Sequence, residues 1–149
     1  MTAITHILVP VDFDKTSEHA LDYALSLAKQ TGAKVTAMHV YGIAVLNALD
    51  AEYIPTAARA SHIADEAQQH LDALVGPRQD RGVVLASELR VGSAAEEIVS
   101  RANELGVDLI VVGKHNRGML ERALLGSVTT DVIRHADIPV LTVRSTRST

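Results

Sequence analysis

Short apolar runs alternate with helical stripes from one end of the chain to the other, and this alternation constrains the fold more than any other sequence feature. Ile7-Leu-Val-Pro-Val11 is a continuous apolar run stopped by Asp12, as expected of a strand buried on both faces. Leu21, Ala24, Leu25 and Ala28 then recur at i, i+3, i+4 and i+7, with Thr16 or Ser17 placed to cap the helix and Gly32 to end it. Lys34-Val-Thr-Ala-Met-His-Val-Tyr41 reads as a second strand, followed by an irregular stretch over 42–56. A second stripe, Ala60, Ile63, Ala67, Leu71 and Leu74, follows Pro55 and is closed by Gly76-Pro77. Val83, Leu85, Leu89 and Val91 alternate with more polar residues, predicting a half-exposed strand near a sheet edge. Ser93-Ala-Ala-Glu96 has the spacing of a capping box, and Ile98, Val99, Ala102 and Leu105 carry a third helix to Gly106. Asp108-Leu-Ile-Val-Val-Gly113 is the most strand-like run. A long loop then leads to Gly126-Ser127, a last stripe of Val128, Val132, Ile133 and Ala136, and a final strand, Pro139-Val-Leu-Thr-Val-Arg144.

Five strands alternating with helices at short spacing predict an α/β fold: an open, doubly wound parallel sheet with helices on both faces and right-handed crossovers. A length of 149 residues suits about one domain, predicted over 1–144, with the polar tail 145–149 disordered. The balance of 14 basic against 18 acidic residues, a net charge of −4, and only 3% aromatic residues argue against a direct nucleic-acid partner. The absence of cysteine excludes disulfides, thiolate metal sites and cysteine nucleophiles, and fits a cytoplasmic setting. The first ten residues have neither a basic nor an uninterrupted apolar segment, and no run reaches the ~18 apolar residues of a membrane span.

In sheets of this kind ligands bind beyond the carboxyl ends of the strands, where strand order reverses. The loop after the first strand holds Asp12-Phe13-Asp14, and the loop after the fourth holds Gly113-Lys114-His115-Asn116-Arg117-Gly118. Ser127 opens a helix whose unpaired N–H groups favour an anion, and Gly113 and Gly126 let backbone amides approach closely. Lys114, Arg117 and Arg122 concentrate positive charge there within an acidic whole. The residues alone equally allow a plainer reading, in which Gly113 turns the chain, Ser127 caps a helix and the basic side chains are solvated.

Gly113-Lys-His-Asn116, nine residues, then Gly126-Ser127 resembles the Gly-x-x-Gly, nine residues, Gly-Ser/Thr pattern of the ATP-binding universal stress proteins, with Asn116 in place of the second glycine. The resemblance extends over nearly the whole chain, through Ile7-Leu-Val-Pro-Val-Asp12, Met38-His-Val40, Val91-Gly92 and Ile138-Pro-Val-Leu-Thr-Val143. It implies a Rossmann-like sheet, similar to the adenine nucleotide alpha hydrolase type, of strand order 3-2-1-4-5. It also implies ATP with Mg2+ or Mn2+: Asp12 and Val40 flanking adenine and ribose, Gly113 and Asn116 turning the backbone under the phosphates, Gly126 and Ser127 donating to them. Pro10, Val11, Val112, His115, Arg117, Val128 and Thr129 complete the expected nucleotide site. The same resemblance implies a cytoplasmic homodimer pairing through the last strand, whose Val140, Leu141 and Val143 would otherwise be exposed at an edge. A stress-response regulator or nucleotide sensor is the activity expected, with hydrolysis slow at most, and no residue presents itself as a base.

Two other classes stay open. Asp12-Phe-Asp-Lys-Thr16 resembles the Asp-x-Asp-x-Thr signature of haloacid-dehalogenase-type phosphatases, where the first carboxylate attacks phosphorus and the second is acid and base. The later acidic pair of such enzymes is missing after Asp108. Asp14 is as well explained as a surface acid near a helix N-terminus. A receiver domain is excluded by Val91-Gly92 and Arg144 at the positions of its aspartate and lysine. The second class is a dimeric interaction module that has lost ATP. The seven histidines show no i, i+3 or i+4 pair, so structural or surface roles are expected for all but His115, and no metal site of their own.

Overall fold

Alternation of side chains along each strand decides how the elements stack. The computed structural model describes residues 3–42, 56–114 and 127–144. Its strands are β1 (His6–Pro10), β2 (Lys34–Tyr41), β3 (Leu85–Val91), β4 (Leu109–Lys114) and β5 (Val140–Arg144). Its helices are α1 (Lys15–Thr31), α2 (Thr56–Val75), α3 (Ala94–Leu105) and α4 (Ser127–His135), with a 3-10 turn at Gly76–Arg78. The five strands form one sheet in the order β3-β2-β1-β4-β5, with every pairing parallel. The α/β, doubly wound expectation and the strand order 3-2-1-4-5 are thus what the chain adopts. Among the described residues no helix is long and apolar enough to cross a membrane. The expected tail at 145–149 and the irregular segment from 43 lie outside the described residues.

Odd-numbered Ile7, Val9 and Val11 share one face with Val35, Ala37, Leu109 and Val111, covered by Leu21, Ala24 and Leu25 of α1 and Leu71 and Leu74 of α2. Leu8, Met38, Ile110 and Val112 line the opposite face, against Ile98 and Ala102 of α3 and Val132 of α4. Burying each of the larger of these side chains contributes about 1.5–3 kcal/mol. The near-continuous apolar character of β1 and β4 follows from burial on both faces. β3 is the half-exposed edge strand expected, although Val91 is 43% exposed and so does not join the inward-facing set.

The capping details differ from expectation. α1 is capped by Asp14 rather than Thr16 or Ser17: the Asp14 carboxylate accepts the Ser17 N–H at 2.8 Å. The reason is that the Ser17 hydroxyl is committed to Asp12, to which it donates at 2.6 Å. Ser93 is the N-cap of α3, but its side chain makes no capping bond, so the expected capping box with Glu96 does not form. It is Glu97 that folds back, over Gly92, where its carboxylate lies 3.0 Å from the position a Cβ would take.

At the amino ends of the strands, the Asp108 carboxylate accepts from the Thr5 N–H at 2.7 Å, the Thr5 hydroxyl at 2.8 Å and the His6 N–H at 3.1 Å, tying β1 to β4. At the other end the two strands part. Val11 N–H donates to the Met38 carbonyl of β2, while the His6 carbonyl accepts from Asp108 N–H, so even-numbered β1 residues bond toward β4. Pro10 falls at such a position and has no N–H to give. Pairing of β1 with β4 accordingly covers only Ile7 with Leu109 and Leu8 with Ile110, whereas pairing with β2 continues to Pro10. A crevice opens between β1 and β4, where the connections diverge to opposite sides of the sheet.

Candidate functional site

The crevice leads into a cavity of about 340 Å³. Pro10, Val11 and Asp12 enter it from the end of β1, Val40 from β2, Val112 and Gly113 from β4, and Val128 and Thr129 from the first turn of α4. The structure therefore brings these expected site residues together. Ser127 is the first residue of α4, whereas His115, Asn116, Arg117 and Gly126 lie outside the described residues.

Several cavity residues lie outside the nucleotide site expected from the sequence. Met38, Ile98 and Val132 form apolar wall, yet each sits within a strand or helical stripe that reads simply as core. Asp14, Thr16, Ser17 and His39 bring polar groups from the β1–α1 corner and β2. Asp14, expected as a surface acid, combines its capping role with a place in the cavity wall. A signal for the corner was present in Ser17, five residues after Asp12. Its hydroxyl donates to Asp12 Oδ1 and accepts the Asp12 N–H at 2.9 Å, and Asp14 N–H reaches the same Oδ1 at 3.3 Å. The aspartate and its backbone are thereby held as one unit. His39 Nδ1–H donates to the Val11 carbonyl at 2.7 Å, which assigns the proton to Nδ1, since a carbonyl only accepts.

Gly113 differs from its expected role. It lies inside β4 rather than in a turn, and a Cβ there would sit 2.6 Å from Thr16 Cγ2 and 2.7 Å from the Thr16 carbonyl oxygen. Glycine is required because the first turn of α1 packs directly on β4. That contact brings the amino end of α1 to the edge of the crevice.

The cavity is thus apolar on the side of α3 and acidic at Asp12 and Asp14, and opens toward the amino end of α4. No lysine or arginine is among its described lining residues. Lys114, at the end of β4, is the described cation next to it in sequence. The first N–H groups of a helix have no acceptor within it and favour an anion, so an anionic group is best accommodated at the amino end of α4 and hydrogen-bond donors at the acidic side. Among the described residues, no group of three or more His, Cys, Asp or Glu side chains could hold a metal ion.

Comparison with known proteins agrees with this architecture. The model of the universal stress protein family matches residues 3–144. Universal stress protein MJ0531 of Methanocaldococcus jannaschii is 34% identical over 138 residues, 93% of this chain and 81% of that protein. The solved structure of MJ0577, a universal stress protein of the same organism, superposes with a TM-score of 0.83 at 29% identity, covering 99% of this chain and 100% of that one. A universal stress protein solved in complex with cAMP matches at TM-score 0.60 and 26% identity, covering 96% and 98% of the two chains. The match of the family model along nearly the whole chain, together with relatives above 30% identity, shows that this chain belongs to the universal stress protein family.

Proposed function

We propose that this protein binds ATP in the crevice between β1 and β4 and acts as a cytoplasmic stress-response regulator or nucleotide sensor with little or no hydrolysis. The observation that carries the reading is the cavity itself. One wall is apolar enough for a base, Asp12 and Asp14 offer acceptors for hydroxyl donors, and the amino end of α4 faces the same space. The cAMP complex of a family member lends support, since it puts a nucleotide on this fold. Asp12 and Val40 would flank adenine and ribose. Ser127 and Gly126, with Asn116 and the basic Lys114 and Arg117, would serve the phosphates. Mg2+ or Mn2+ would arrive with the triphosphate and offset its charge. The Asp12 carboxylate is engaged by Ser17 and that of Asp14 by the cap of α1, which favours sensing over turnover.

A phosphatase would need Asp14 as acid and base, but that carboxylate caps α1. We also propose that two copies pair through β5, an edge strand whose Val140, Leu141 and Val143 are only partly buried. Thermal unfolding with and without Mg·ATP tests the nucleotide reading. Ligand at about 100-fold its Kd should add ~2.7 kcal/mol of stability. No shift at millimolar ATP would sink the sensor and leave the interaction module; fast phosphate release abolished by Asp12→Asn would point to the phosphatase.

A further inference from the structure

Phe13 has a backbone φ of +69°, in the left-handed region that a bulky residue rarely occupies, and it lies between Asp12 and Asp14, both of which line the cavity. Its ring lies on the opposite side of the chain, packed against the core cluster that α1 and α2 cover. There it meets two imidazoles: the His39 centroid is 4.3 Å away at 40°, and the His70 centroid 5.3 Å away at 52°. His39 is itself cavity wall and is hydrogen-bonded to Val11, while His70 belongs to α2 and lies outside the cavity, in a separate surface cleft with Glu18. A strained residue persists only where its surroundings over-determine it, and here the ring contacts do so.

We propose that Phe13 is the positioning residue of the acidic wall: packed against both His39 and His70, it holds the chain in the left-handed turn that presents the flanking Asp12 and Asp14 carboxylates to the bound nucleotide. This rests on the nucleotide reading above. It differs from a packing role in one respect, because a change at His70, which lies outside the cavity, should be felt by a ligand that His70 does not touch.

The test is titration of ATP with Mg2+ into wild-type protein and into Phe13→Gly, Phe13→Tyr and His70→Ala, each with its unfolding temperature. Phe13→Gly, which permits the turn without enforcing it, should raise Kd about tenfold, and Phe13→Tyr, which keeps the ring, should restore it. His70→Ala is exposed and leaves the fold intact, and should raise Kd about threefold. In an Asp12→Asn background Phe13→Gly should cost less than in wild type, because the carboxylate it aims is gone. If wild type binds and neither Phe13→Gly nor His70→Ala weakens binding, or if the Phe13 and Asp12 effects simply add, the positioning role is overturned. If wild type itself fails to bind ATP, the nucleotide reading falls, and this inference with it.

Discussion

Single residues at the β1–α1 corner act through backbone geometry as much as through their functional groups. Gly113 is the sharpest case, since the 2.7 Å from its absent Cβ to the Thr16 carbonyl oxygen concerns main chain, which cannot rotate away like the end of a side chain. Gly113→Ala should destabilise the protein by about 1–3 kcal/mol, the range for overpacking, and push the start of α1 off β4. Chemical denaturation measures the loss; an unchanged midpoint would mean that α1 does not pack where the structure has it. Gly113 stands out in the sequence as a candidate, but for another reason, because glycine spacing reports that a side chain is excluded and not what excludes it. The αL turn at Phe13 and the cap at Asp14 were equally illegible. Within Asp12–Ser17 several side chains are chemically competent to cap, and only the hydrogen bond of Ser17 to Asp12 decides which one does.

Among the elements, β1 determines where the site forms. Its amino half is tied to β4 through Asp108, and its carboxyl end is released because Pro10 has no N–H on the side facing β4. Pro10→Val restores that donor and should extend the ladder beyond Leu8 and Ile110, narrowing the crevice. The expected outcome is weaker ATP binding at an unfolding temperature equal to or above that of wild type; unchanged affinity would disprove the role given to the proline. The helical stripes were readable because a 3.6-residue period of burial survives in the sequence. The same stripes conceal the cavity wall, since Ile98 and Val132 obey the periodicity of core residues and line a ligand space all the same.

For the molecule as a whole, the sheet's amino end links stability to pH. His6, 5% exposed, shares a hydrogen bond of 2.8 Å between its Nε2 and the Thr36 hydroxyl, and burial first, then the nearby Lys34 charge, lower its pKa below 6.5. The unfolded chain therefore binds a proton that the native state resists, so stability falls as pH drops below about 6.5. Asp108 lies below its ordinary value of 3.8, chiefly through the Thr5 N–H and hydroxyl, and its contribution is lost as pH falls further through that depressed pKa. Both effects have the same sign. Stability should thus begin to decline below about pH 6.5, and His6→Gln should flatten that first part of the profile while leaving the later loss through Asp108 in place. A profile with the same slope in wild type and variant would place the early titration elsewhere.

By itself the sequence determined the type and order of the described strands and helices and the parallel sheet they form. It could do so because each of those depends on burial periodicity within ten or twenty residues and on how short connections must cross a sheet. Only the tertiary structure decided that Pro10 parts β1 from β4, that Thr16 rather than a ligand demands Gly113, and that core stripes from α3 and α4 become cavity wall. Each of these depends on what a distant segment brings to within a few ångströms, and no local pattern records that distance.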